Sequence, residues 1–160
     1  MAREQPIELF MPPNMLKAKV GGGTGGIDPA AIRRAEAAME DIKGEFAAWA
    51  AADVEKLVAA RTRFAKTPDA ASRAALLRAA HDMKGQAATF NYPLIARVSG
   101  SLSRLVGELS AVKDLPLGLV DAHVSAVHVI YRDKVMDESN KLALALAVEL
   151  ESQVAAVLKS

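Results

Sequence analysis

Hydrophobic residues recur every three or four positions along most of this chain, which is the spacing of amphipathic helices. The first such segment begins at Asp28 and Pro29, a capping residue followed by one with no amide hydrogen to satisfy. It extends to about residue 65, and its apolar stripe slips near Asp53, where we allow a bend or a break. The stripe consists of Ile32, Ala35, Met39, Ile42, Phe46, Trp49, Leu57 and Phe64.

Two further segments predict a helical hairpin. Residues 67–69 repeat the start signal, and the helix that follows should run to about Phe90. Asn91 tolerates the left-handed conformation that ends a helix, and Pro93 can begin the next one after a very short turn. Helices two and three should therefore be antiparallel. Their apolar stripes are Leu76, Ala80, Met83, Ala87 and Phe90 in helix two, and Leu94, Val98, Leu102, Leu105, Leu109 and Val112 in helix three.

The last segment follows a break at Asp114, Pro116 and Gly118 and contains no proline up to residue 160. We interpret it as one long fourth helix, with an interruption around residues 137–140 as the alternative. No segment shows the period-two alternation of a strand bounded by turn residues. The pattern therefore predicts an all-α fold, an up-and-down four-helix bundle with long first and last helices, over residues 28–160.

Residues 1–27 contain three prolines and the glycine-rich run 21–26, with the periodicity of neither a helix nor a strand. We predict a mostly irregular N-terminal tail and a flexible linker. The run lacks the Gly-Lys-Ser/Thr ending of a phosphate-binding loop, which argues against a nucleotide site there. The apolar residues of the tail are compatible with packing against the domain or a partner, and equally with disorder: Ile7, Leu9, Phe10, Met11 and Leu16.

Composition and charge exclude several classes of protein. The 20 basic and 19 acidic residues are scattered, and the net charge of +1 gives no electrostatic footprint for nucleic acid. The absence of cysteine excludes disulfides, a thiolate nucleophile and cysteine-based metal sites. No uninterrupted apolar run is long enough to span a membrane, so we expect a soluble, cytoplasmic protein. His123 and His128, five residues apart, do not share a helical face, and we expect surface or bundle-edge positions and no bound metal.

The candidate chemistry lies in helix two. Leu77, His81, Lys84, Gly85 and Ala88 share one helical face, and His81 lies about 140° from the centre of the apolar stripe. This face should therefore be exposed to solvent. Glycine inside a helix costs roughly 1 kcal/mol relative to alanine, so Gly85 calls for an explanation.

A neutral, exposed imidazole is a nucleophile suited to attack on a phosphoryl group. Lys84, one turn away, can compensate the charge of a phosphate carried on His81. Gly85 and Ala88 would keep bulky side chains away from the active site of a second protein. The competing interpretation is an ordinary surface histidine beside a tolerated glycine.

The stretch from His81 to Asn91 resembles the signature of histidine-containing phosphotransfer domains: a histidine, an apolar residue, Lys-Gly, small residues and an apolar-glycine pair. It is also similar to the phosphotransfer domain of chemotaxis histidine kinases. Asn91 replaces the family's glycine, but asparagine still permits the left-handed cap. Ser103 stands where the chemotaxis version has a glutamate that hydrogen-bonds the histidine, which weakens the chemotaxis interpretation and leaves His81 without an obvious carboxylate partner.

The resemblance implies a relay intermediate, in which His81 accepts a phosphoryl group from the aspartate of one receiver domain and passes it to another. The donor would be a hybrid histidine kinase or a response regulator, and magnesium would sit in the receiver, with no cofactor bound by this chain. The chain would then be a phosphotransfer protein and not a self-sufficient kinase. Lys84 and Gln86 are the candidate phosphate ligands, and Leu77, Gly85 and Ala88 the candidate docking residues.

One alternative from another class remains open at this point, a helical interaction module without chemistry. The intact His-x-x-Lys-Gly sequence favours the relay, since a degenerate member would be expected to lose the histidine or the glycine. We expect a monomer that binds neither nucleic acid nor membranes. A dimer stays open, because an apolar stripe serves packing within and between molecules equally well.

Overall fold

The computed structural model describes residues 28–160, with only the backbone of residues 43 and 45–47. This part of the chain is all-helical. It contains α1 (Pro29–Lys66), α2 (Ala70–Thr89), α3 (Pro93–Glu108), a short 3₁₀ helix (Val112–Asp114), α4 (Leu117–Arg132) and α5 (Lys141–Lys159). The all-α fold class is confirmed. The predicted tail and glycine-rich run lie outside the described residues.

The chain divides into two compact units. The first ends at Glu40, and its described part is the beginning of α1, capped by the Asp28 carboxylate, which accepts a hydrogen bond from the Ala30 amide at 3.0 Å. The second unit, Asp41–Ser160, contains the remainder of α1 and all the other helices. None of the helices in the described residues is both long enough and apolar enough to cross a membrane.

The predicted start of α2 and the turn that follows it are both present. Asp69 caps α2 by accepting from the Ser72 amide at 2.7 Å, and the Ser72 hydroxyl accepts from the Asp69 amide in return. Asn91 ends the helix at φ 63°, and the Tyr92 amide donates to Ala87 O at 2.8 Å. Pro93 then opens α3 after only three intervening residues. The antiparallel hairpin follows from this turn.

The interruption allowed in the last segment also exists, and it is longer than the sequence suggested. Residues 133–140 separate α4 from α5. Lys134 adopts φ 52°, and the Val135 amide bonds back to Ile130 O, which closes the end of α4. Asn140 caps α5 by accepting from the Ala143 amide at 3.0 Å. The fourth predicted helix is therefore two helices.

The core lies around α3, which packs against α2, α4 and α5. The predicted stripe of α3 is buried along most of its length, and α1 contributes Val54, Leu57 and Phe64 to the same core. Arg61 of α1 and Asp121 of α4 form a two-pronged ion pair, with both contacts at 2.5 Å. This arrangement leaves the far side of α2 facing solvent.

Two features of α1 differ from what the apolar stripe suggested. The break that we allowed near Asp53 is absent, since the helix is continuous from Pro29 to Lys66, and within it the buried Asp53 carboxylate accepts from Lys56 Nζ at 2.7 Å. The first part of its apolar stripe is exposed, since periodicity identifies a face but not what covers it. The exposed fractions are 42% for Ile32, 60% for Met39, 59% for Ile42 and 41% for Trp49.

The predicted surface or edge position was also wrong for His123, which is fully buried, whereas His128 is exposed. His123 Nδ1 donates to Leu119 O at 2.7 Å, because the carbonyl can only accept. Its Nε2 lies 3.1 Å from Ser101 Oγ and accepts the hydroxyl proton when the ring is neutral. Two hydrogen bonds thus allow a polar ring inside the apolar stripe of α4.

Candidate functional site

The two faces of α2 separate as the sequence predicts. Leu76, Ala80, Met83 and Ala87 are buried, along with the capping Ser72. On the opposite side lies a surface that we call the His81 ridge, in which Leu77 is half-buried and the other four residues are exposed: Leu77, His81, Lys84, Gly85 and Ala88. The helix period alone therefore located the imidazole on the outside of the bundle.

The His81 imidazole makes no hydrogen bond or ion pair with any part of the chain that the structure describes. Both ring nitrogens can therefore meet an incoming group without first breaking an internal bond. An exposed nitrogen lone pair of this kind is a competent nucleophile. Because no hydrogen bond within the described chain fixes the tautomer of His81, solvent or a partner determines which ring nitrogen carries the proton.

A stripe of small residues on α3 faces the ridge, and the sequence reasoning did not identify it. Ala96, Gly100, Ser103 and Gly107 follow a four-three-four spacing on one side of the helix. A β-carbon built on Gly100 would lie 3.4 Å from Lys84 Cδ, and one built on Gly107 would lie 3.6 Å from Leu77 Cδ1. The spacing itself was the signal that could have revealed this face.

These two contacts fix the register of the antiparallel pair. Residue 84 is level with 100 and residue 77 with 107, which places residue 103 level with residue 81. By this register Ser103 is level with His81 along the axis of the hairpin, and the predicted contact between their side chains stays a prediction. The structure records no hydrogen bond between the two side chains, so the role of Ser103 stays a prediction.

Lys84 extends over α3. Its methylene groups lie across Gly100, and a β-carbon at that position would be in contact with them. The side chain enters an open groove between α3 and α5 that also contains Arg97, Arg104 and Glu151. Among the side chains that the structure describes, no carboxylate lies at ion-pair distance from its ammonium group. The positive charge of Lys84 is thus not used inside the described fold.

Gly85 has no packing reason to be glycine. A β-carbon at this position would meet no atom within 4 Å. The Thr89 hydroxyl donates to Gly85 O at 3.0 Å, a bond within the same helix. The bundle would therefore accept alanine here, and any requirement for glycine must come from outside the described chain.

Gln86 lies on a different side of α2. It lines a small, largely apolar cavity with Trp49, Asp53 and Met83, on the side of the helix that faces α1. Trp49 closes this region through an edge-to-face contact with Phe90, with ring centroids 5.6 Å apart. The structure does not bring Gln86 next to His81, and its proposed contact with phosphate stays a prediction.

The buried His123 lies in surroundings unlike those of His81. The pKa of the buried His123 is lowered, mainly because burial disfavours the charged ring, with the bond to Leu119 O opposing the shift. The described residues contain no cluster of three or more histidine and carboxylate side chains that could hold a metal ion. The imidazole of the ridge is that of His81, which is exposed.

Comparison with known proteins gives one match. A protein-family model described as the Hpt domain matches residues 41–128, which is more than half of the 160 residues. The matched region begins within α1, includes the whole α2–α3 hairpin and ends near the end of α4. No curated protein and no solved structure matches the chain.

Proposed function

The chain belongs to the Hpt domain family of two-component phosphorelays, and on that premise we propose that it is a phosphorelay intermediate with His81 as the phosphate carrier. In this proposal His81 accepts a phosphoryl group from the aspartate of one receiver domain and delivers it to another. The donor receiver belongs to a hybrid histidine kinase or a response regulator. Hpt domains interact with receiver domains, and the His81 ridge is the surface proposed for that contact.

One observation carries the assignment to His81. Its imidazole is exposed and unpaired within the described chain, and Lys84, one turn away, has no ion-pair partner among the described side chains. The other two histidines lack this setting, since His123 is buried and His128 stands in a groove beside the Arg61–Asp121 ion pair. A nucleophile with an unused positive charge one helical turn away suits a phosphate carrier.

The chemistry is a reversible exchange between two carriers. An imidazole nitrogen attacks the phosphorus of the aspartyl phosphate, and a P–N bond forms as the P–O bond to the aspartate breaks. The carboxylate leaves with the bonding electron pair. In the second transfer a carboxylate oxygen attacks the same phosphorus, the P–N bond breaks and the imidazole leaves. In this proposal the chain supplies the nucleophile and the docking surface, and the partner supplies magnesium.

Lys84 and Gly85 support the exchange in different ways. The ammonium group of Lys84 offsets part of the charge that His81 gains when it is phosphorylated. Gly85 leaves space above the ridge, so that the reacting carboxylate of a receiver can approach within near-attack distance. Leu77 and Ala88 flank this opening and supply apolar contact area at its two ends.

Incubation with receiver domains tests the assignment. The protein is mixed with a panel of phosphorylated receiver domains from the same organism, and label is followed on the chain. We expect an acid-labile, base-stable phosphate on the wild type and none on His81→Gln. His128→Gln, an exposed histidine outside the ridge, serves as the matched control and should retain full labelling. Equal labelling of His81→Gln, or no label with any donor, contradicts the proposal.

A further inference from the structure

Two grooves near the His81 ridge differ in the charges that line them. The groove between α1 and α2, about 250 Å³, contains Asp53, Lys56, Arg78 and Asp82, two acids and two bases. The larger groove, about 530 Å³, lies between α3 and α5 and is lined by Lys84 of α2, Arg97, Arg104 and one acid, Glu151. Among the side chains that line the two grooves, the surplus of positive charge is therefore on the α3 side.

Arg97 is not available to a partner. Its Nε and Nη2 bind the two oxygens of Glu151 at 2.9 and 2.7 Å, and Nη1 lies 3.5 Å from Glu138. This two-pronged pair joins α3 to α5 and neutralises the guanidinium. Lys84 and Arg104 are then the cations of the groove that can act on something outside it.

Arg104 is only loosely held. Its Nε lies 3.0 Å from Glu108 one turn later on α3, and both side chains are more than half exposed, at 56% and 53%. Exposed pairs of this kind contribute little to stability and exchange readily with water or another carboxylate. A carboxylate brought by a partner can therefore replace Glu108 at small cost.

The position of Arg104 relates it to the reacting group. Arg104 directly follows Ser103, which the register of the hairpin places level with His81. Lys84 lies across Gly100 on α3 and enters the same groove as Arg104. Lys84 and Arg104 thus lie on the α3 side of the ridge. In the groove between α1 and α2, the charges of the two acids are offset by those of two bases.

We propose that Arg104, with Lys84, is a docking site for acidic side chains on the rim of the receiver domain that exchanges phosphate with His81. The proposal rests on the proposed function and adds the orientation of the partner, whose acidic rim faces α3 while its reacting aspartate faces the ridge. Charges at the rim of an interface act mainly on the rate of association and on partner selection.

Phosphotransfer kinetics under subsaturating conditions test the proposal. We expect Arg104→Gln to lower kcat/KM by about threefold and Arg104→Glu by about tenfold at low salt, with kcat at saturation nearly unchanged. Glu108→Gln frees Arg104 and should raise kcat/KM. The changes in kcat/KM of all three variants should become smaller as salt is added, because exposed charges are screened. An unchanged kcat/KM for Arg104→Glu overturns the proposal.

The control for net charge is Arg132→Glu. Arg132 is an equally exposed arginine in a groove with Glu55 and His128, paired with Asp133 at 2.8 Å. An equal loss for Arg132→Glu would show a general charge effect and overturn the assignment of a specific site. Labelling of His81 by phosphoramidate, a small donor that needs no docking, should be the same in Arg104→Glu and the wild type; a loss there would also overturn it.

Binding separates this inference from the proposed function. The dissociation constant for the same receiver domains is measured in a His81→Gln background, with and without Arg104→Glu. A weaker complex for the double variant supports the docking site even if His81 is never phosphorylated. Equal affinities overturn the docking site even if phosphotransfer to His81 is observed.

Discussion

At the scale of single residues, Gly85 separates requirements of folding from requirements of function. α2 is rich in alanine, yet it contains a glycine one turn after His81. The structure removes the internal explanation, because a β-carbon there would meet no atom within 4 Å. Glycine destabilises a helix by roughly 1 kcal/mol relative to alanine, and no packing contact of Gly85 within the described chain offsets this.

Substitution of Gly85 should uncouple stability from transfer. We expect Gly85→Ala to stabilise the protein by about 1 kcal/mol, which corresponds to roughly 2–4 °C in Tm for a chain of this size. Gly85→Leu should also leave the bundle folded, while its side chain obstructs the approach to His81 and slows transfer by about tenfold or more. Thermal unfolding and transfer kinetics on the same samples check this. Unchanged transfer by Gly85→Leu would refute the clearance role.

At the scale of elements, capping signals were better guides than apolar stripes. The starts of α1 and α2 and the left-handed end of α2 are set by local groups, Asp28, Asp69 and Asn91, whose chemistry is visible in the sequence. The exposure of Ile32 and Met39 was not predictable, because a stripe does not reveal what packs on it.

The candidate site also has some features that could be predicted from the sequence and others that could not. The exposure of His81 and Lys84 follows from the helix period, so it was predictable. The course of Lys84 across Gly100 and its entry into a groove with Arg104 depend on contacts between helices, which no single-helix pattern contains. The burial of His123 was missed because it depends on a hydroxyl from another helix, Ser101.

The two glycines of the α3 stripe give a matched test at this scale. At Gly100 and Gly107 a new β-carbon would meet its nearest side chain at 3.4 and 3.6 Å, which is ordinary contact distance. We therefore expect Gly100→Ala and Gly107→Ala each to stabilise the bundle by up to about 1 kcal/mol through helix propensity. Urea unfolding measures this. A clear loss of stability in either variant would show that the hairpin requires bare backbone at that position.

At the scale of the whole molecule, ion pairs and one buried ring link the elements. Arg61 and Asp121 join α1 to α4, and Arg97 and Glu151 join α3 to α5. The pKa of each carboxyl is lowered, first by the hydrogen bond from its arginine. His123 joins α4 to α3 through Ser101, with a pKa lowered by burial. All three groups make folding stability depend on pH.

Acid should weaken the bundle in two stages. The unfolded chain binds a proton at His123 near its ordinary pKa of 6.5, and the folded chain does so only at lower pH, so stability falls as the pH drops below about 6.5. Asp121 and Glu151 add a second loss below their ordinary pKa values of 3.8 and 4.5, as the pH falls through their lowered folded values.

Thermal unfolding from pH 8 to pH 3 checks this order. His123→Leu should remove the first stage, whatever its effect on Tm at pH 8, while the second stage remains. His128→Gln, on the same helix but exposed, is the control and should keep both stages. If the loss of stability below about pH 6.5 persists in His123→Leu, a group other than His123 causes it.

The three-residue turn between α2 and α3 has a consequence for how the protein folds. Closing so short a loop costs little chain entropy, and contacts between neighbours in sequence form fastest. The His81 ridge and the α3 stripe that supports it both belong to this hairpin. We therefore expect the His81 ridge to take shape early in folding, before α5 docks, so that a nascent chain acquires the surface proposed to carry phosphate before its full stability.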